Sequence, residues 1–151
     1  MKKFRVKKDI KVAETLPGRF YKDPDIFNEV KEKIFVKSWQ YIGHNNIMPV
    51  NINTYPFNFL NNFINEPLIL VRDNNDNFKC LSNVCTHRAN IIVDHPCELK
   101  SIRCNYHGRK FDLNGKFKLM PDFEETKDFP TDVDVAMSNA GHIAGLLVAP
   151  N

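Results

Sequence analysis

The sequence predicts a mainly β domain, a sandwich or barrel of short strands carrying one N-terminal helix. Three observations predict it. Only residues 24 to 37 recur convincingly at helical spacing, strand-type runs follow one another from Tyr55 onward, and Asn114-Gly115 stands between alternating residues as a two-residue hairpin turn. With 151 residues and 42% apolar side chains, the chain fits one domain that buries roughly 70% of its unfolded surface.

Residues 1 to 15 read as a flexible basic arm. Lys2, Lys3, Arg5, Lys7, Lys8 and Lys11 are six of the 21 Lys and Arg, with Asp9 the acid among them. Beyond residue 11, 15 basic side chains face 17 acidic ones, so the body is nearly neutral. Such an arm reads as solvated rather than as a nucleic-acid or membrane contact. The domain, residues 16–151, opens at the turn Leu16-Pro17-Gly18. Asp23 is placed to cap the helix and Pro24 suits its first position; Ile26, Phe27, Val30, Ile34 and Phe35 form an apolar face through about Lys37.

Trp39, Tyr41 and Ile42 start a strand with alternating sides. Residues 55 to 60 and 67 to 72 are short apolar strands, 73 to 77 a polar turn, and 78 to 84 the returning arm of a hairpin. Val133, Val135 and Met137 alternate with polar neighbours, and residues 143 to 148 give a last apolar strand. No run reaches the roughly 20 apolar residues a bilayer requires, and Met1-Lys2-Lys3 leads into further charge instead of an apolar signal region. The expectation is a soluble, cytoplasmic protein. Four cysteines are too few for a disulfide scaffold, so in a reducing compartment thiols close to histidines are candidate metal ligands.

Cys85-Thr86-His87 and Cys104-Asn105-Tyr106-His107 supply that combination, with sixteen residues between them. Each loop follows strand-type residues and offers one thiolate and one imidazole. Gly108, directly after His107, removes a side chain where the backbone turns closely. On spacing alone, three readings stay open. A tetrahedral zinc takes two Cys and two His, although it usually draws both cysteines from one loop. A [2Fe–2S] centre of the Rieske kind requires the mixture, with two thiolates on one iron and two imidazoles on the other. The third reading is coincidental packing.

The stretches C85-T-H-R-A-N and C104-N-Y-H-G-R-K-F-D-L-N-G-K-F resemble the Rieske domain of the α subunits of ring-hydroxylating non-haem iron oxygenases. Residues 34 to 44, IFVKSWQYIGH, and 67 to 73, PLILVRD, share that resemblance, which covers roughly residues 16 to 135. It implies a Rieske-type antiparallel β-sandwich with a small cluster-binding subdomain. It also implies Cys85 and Cys104 as ligands of an inner iron, and His87 and His107 as ligands of an outer one. Replacing two thiolates by neutral imidazoles leaves the oxidised cluster formally neutral instead of doubly negative, which makes an added electron cheaper. Respiratory Rieske proteins resemble one another in a loop disulfide and in a serine after His-Gly; here those positions are Asn90, Tyr106 and Arg109. With fewer donors to the sulfurs, the expected potential is about −150 mV, the low end of the Rieske range.

The resemblance further implies single-electron transfer from a ferredoxin or flavin reductase to a mononuclear iron in an oxygenase catalytic domain. That site needs two His and a carboxylate, and only His142 lies beyond the second loop, so these residues are expected to form an oxidoreductase component without its own catalytic iron. A stand-alone Rieske ferredoxin and a zinc-stabilised binding module are the alternatives. Arg88 and Arg109 are expected to brace loops through carbonyls more than to steer a partner, and Tyr106 either bonds a cluster sulfur or packs under the loop. Cys80 and Cys97 read as inert thiols, and His44, His95 and His142 have no partners at ligand spacing.

Overall fold

The computed structural model of the chain describes residues 4–132, 134, 137 and 145–149. Within residues 4 to 15, Ile10–Val12 forms a single 3-10 turn, and the Phe4 ring meets Phe20 edge-on at 5.2 Å. Helix α1 is Pro24–Lys33, and the Asp23 carboxylate accepts the Asp25 N–H as the capping pattern predicts. The α-helix ends before the expected Lys37, because Phe35–Lys37 tightens into a 3-10 turn that delivers the chain to the next strand. The helix buries none of its residues: Phe27 and Phe35 each lean edge-on against the Phe63 ring at 5.0 Å, and Phe27 stays 53% exposed.

The strands are β1 (Trp39–His44), β2 (Thr54–Phe59), β3 (Glu66–Arg72), β4 (Phe78–Ser82), β5 (Ile102–Arg103), β6 (Lys110–Phe111), β7 (Phe117–Leu119) and β8 (Gly145–Ala149). They form three small sheets, β2-β3-β4, β5-β6-β7 and β1-β8. The first two are antiparallel, as expected. The third departs from the all-antiparallel expectation, because β1 and β8 run parallel. Val133 and Val135 of the expected alternation, with Ile143 and Ala144 of the expected last strand, lie outside the described residues. Met137 is 2% exposed and joins the core. Among the described residues, no helix is long and apolar enough to cross a membrane.

Strand β3 explains why the molecule has two apolar clusters. Leu68, Ile69, Leu70 and Val71 are all at most 2% exposed, so this central strand is covered on both faces. Alternation sends Ile69 and Val71 into one cluster and Leu68 into a second with Phe59. Each such side chain contributes about 1.5–3 kcal/mol on burial. The Ile69 cluster also holds Leu81, Ile102, Phe111, Cys85 and Cys104. The core of the sheets therefore reaches both ligand loops.

Two polar clasps fasten the segment between those loops. Asn83, 3% exposed, gives its amide N–H to the Val93 carbonyl at 2.7 Å, and its carbonyl accepts the Val93 and Ile92 N–H groups. At the start of β2, the Asn53 amide bonds both the carbonyl and the N–H of Leu99 at 2.8 Å. Buried Thr54 pairs with Cys97 through backbone bonds, and its hydroxyl donates to the Cys97 carbonyl at 2.7 Å.

Candidate metal centre

The two loops are built on one backbone frame. The Cys85 N–H donates to the Asn90 carbonyl and the Ala89 N–H returns to the Cys85 carbonyl; likewise the Cys104 N–H donates to the Arg109 carbonyl and the Gly108 N–H to Cys104, all at 2.9–3.0 Å. The fifth residue of each frame is left-handed, Ala89 at φ 53 and Gly108 at φ 78. At Gly108 a Cβ would stand 3.0 Å from Pro121 Cγ, so the close approach at this position is to a proline side chain. Strand β5 leads into the second loop and β6 leaves it, while the Val84–Ile91 bridge closes the first.

All four predicted ligands come to one place, sorted by type. Cys85 and Cys104 are 3% and 2% exposed, and both are free thiols in side-chain contact. Burial pushes the Cys85 thiol pKa up, and neighbouring Cys104 adds to this, while the His87 N–H and the Arg109 charge oppose it. The His87 and His107 rings meet edge-on at 4.8 Å, His87 half-buried and His107 exposed. Burial first, then the charge of Arg109, lowers the His87 pKa and keeps the imidazole neutral, the form that binds metal. Among the described residues, no group of three or more His, Cys, Asp or Glu gathers around a point for one ion. The donors stand as a thiol pair inside and an imidazole pair outside.

The surroundings differ from expectation at two residues. Arg109 is 2% exposed, so it cannot steer a partner, and it braces side chains instead of carbonyls: Nη1 donates to Thr86 Oγ1 at 2.6 Å and Asp134 Oδ1 at 2.9 Å. Tyr106 is 58% exposed and lays its ring on His107, centroids 3.8 Å apart. Asn90, which sequence reasoning noted only as a missing cysteine, turns its amide to Cys104 Sγ at 3.7 Å. Phe123 approaches His87 at 6.3 Å, a contact that no local pattern signals. Arg88 is exposed.

The remaining candidates stay apart. Cys80, whose pKa is pushed up to about 12 by burial, packs against the Phe59 cluster. The Cys97 sulfur touches the Thr54 hydroxyl at 3.3 Å. His95 pairs with Asp94, and the His44 ring meets Tyr41 edge-on. His142 lies outside the described residues.

Small, mostly antiparallel sheets that present a buried thiol pair and an outward imidazole pair define an iron–sulfur domain. The profile of the Rieske [2Fe–2S] domain matches residues 38–130. The chain belongs to that family, and its cofactor is a Rieske-type [2Fe–2S] cluster. It is 32% identical over 121 residues to the oxygenase subunit of carnitine monooxygenase from Escherichia coli strain K12, covering 80% of this chain and 31% of that protein. It is also 32% identical over 112 residues to the α subunit of biphenyl 2,3-dioxygenase from Rhodococcus jostii strain RHA1, covering 73% and 23%. A quaternary ammonium Rieske monooxygenase shares the fold with a TM-score of 0.70 at 24% identity, over 82% of this chain and 33% of that one. Naphthalene 1,2-dioxygenase from Rhodococcus sp. does so with 0.67 at 20%, over 83% and 28%. The chain thus spans about a third or less of the length of the relatives it matches.

Proposed function

We propose that this chain is the electron-relay domain of an oxygenase α subunit, with Cys85 and Cys104 on one iron and His87 and His107 on the other. The observation that carries the assignment is the sorting of donors into a buried thiol pair and an outward imidazole pair. A single tetrahedral zinc would draw all four donors to one centre, whereas two irons need two pairs. A cluster held this way stores and releases one electron. The polypeptide supplies the rest. Core side chains exclude water from the thiolates, the loop frames fix the distance between the pairs, and exposed His107 with the Tyr106 ring upon it offers a short path to solvent.

A ferredoxin or flavin reductase is the donor in this reading, and mononuclear iron in an oxygenase catalytic domain is the acceptor. Relatives named as carnitine monooxygenase and biphenyl dioxygenase subunits support that class of acceptor. Anaerobic reconstitution with iron and sulfide tests the proposal. The expected result is a brown protein with two irons and two sulfides, an EPR signal on one-electron reduction, and rapid reduction by a reduced ferredoxin in stopped flow. A colourless product holding one zinc would overturn it.

A further inference from the structure

Arg109 carries a full charge into the wall of the site. Its guanidinium lies over the Phe117 ring, 5.7 Å from the centroid, and over the Phe129 ring at 5.5 Å, cation–π contacts that hold the charge in a buried, poorly screened place. One nitrogen makes both of its side-chain bonds, to Thr86 between the two ligands of the first loop and to Asp134. Nε is buried with no hydrogen-bond partner among the described residues. Asp134 does not cancel the cation at the site. The guanidinium reaches Thr86 Oγ1, between Cys85 and His87, at 2.6 Å and is 2% exposed, whereas the Asp134 carboxylate is 17% exposed and better screened by solvent. The pair therefore turns its positive end toward the ligands.

We propose that Arg109 is a positioning residue for electron transfer: it ties Thr86 to the second loop and holds a buried positive charge beside the four ligands, favouring the reduced cluster. The inference rests on the cluster reading above. An added electron is one more negative charge in a poorly screened interior, so a fixed cation nearby stabilises the reduced form. It opposes the low potential that the shortage of hydroxyl donors sets.

The test is a spectroelectrochemical titration of the reconstituted 151-residue chain beside Arg109→Met, Arg109→Lys and Asp134→Asn. At fixed applied potential, Arg109→Met is expected to lower the ratio of reduced to oxidised cluster about tenfold, or 59 mV for one electron. Asp134→Asn, which frees the cation from its counter-charge, is expected to raise the ratio about threefold, and Arg109→Lys to keep it within about threefold of the parent. Loop packing alone would move Arg109→Met and Asp134→Asn in the same direction. Shifts of the same sign, or unmoved potentials in a loaded parent chain, overturn this inference and leave the cluster assignment standing. If Arg109→Met takes up no cluster, Asp134→Asn decides: a raised ratio upholds the inference and an unchanged or lowered one overturns it. A parent chain that takes up no iron and sulfide overturns the assignment, and this inference with it.

Discussion

From Cys85 to Asn90 and from Cys104 to Arg109 the backbone makes the same two hydrogen bonds, yet the histidine is the second residue after the cysteine in one loop and the third in the other. The frame fixes where each thiol starts. The imidazole can leave from either corner of the turn, provided that the two rings converge, and they do at 4.8 Å. The unequal spacings C-x-H and C-x-x-H are two exits from one turn. The loops differ again at the left-handed residue that closes them, alanine in the first and glycine in the second.

The largest effect comes from breaking both loops alike. Cys85→Ser or Cys104→Ser removes a buried thiolate, and either is expected to abolish the brown colour and EPR signal after reconstitution, since iron–sulfur clusters require thiolate ligands. A variant retaining a full cluster would remove that cysteine from the ligand set. Next comes a change at an exit: His107→Cys puts a third thiolate on the cluster and should lower its potential by on the order of 100 mV while keeping iron and sulfide. A fixed or raised potential would contradict the role given to His107.

The closing residues sharpen the comparison further. Gly108→Ala meets both the left-handed penalty and Pro121 Cγ at 3.0 Å, and should destabilise the fold by about 1–3 kcal/mol in urea titration. Ala89→Gly removes such a penalty and should stabilise it by about 0.5 kcal/mol after the entropy of the unfolded chain is counted. Equal responses at the two sites would mean that the frames are not equivalent. The smallest effect is acid sensitivity. Burial pushes the Asp112 pKa up, but the Lys116 and Asn114 N–H groups and the Lys118 ammonium outweigh it, so the folded pKa lies below the ordinary carboxylate value. The support that Asp112 gives the hairpin after the second loop is present above the unfolded value of about 3.9 and lost as pH falls through the folded one. Amide exchange at Lys116 should therefore accelerate below about pH 4 in the parent and be fast at every pH in Asp112→Asn.

Elements whose cause is local were legible in the sequence. Asp23 and Pro24 announce the helix start, Gly115 meets the left-handed turn with φ 80, and the two Cys/His loops that the fold brings side by side stand out by residue type and short spacing. What escaped is set by distant partners. Arginine ordinarily reads as surface, and the burial of Arg109 depends on Thr86 and Asp134, 23 and 25 residues away. The parallel pairing of Trp39 with Gly145 joins residues about a hundred apart, and no turn signal records it. Tyr106 was weighed for its hydroxyl or its packing under the loop, and its exposed ring instead packs on His107, a neighbour in sequence whose exposure no local pattern records.

The stitching of Asn53 and Thr54 to Cys97 and Leu99 has a mechanical consequence. It bolts the link between the ligand loops onto the central sheet, so the mount has little room to flex when its charge changes. In the proposed relay, the tunnelling distance to a partner is then governed by how that partner seats against the histidine face, and hardly by internal rearrangement of this chain.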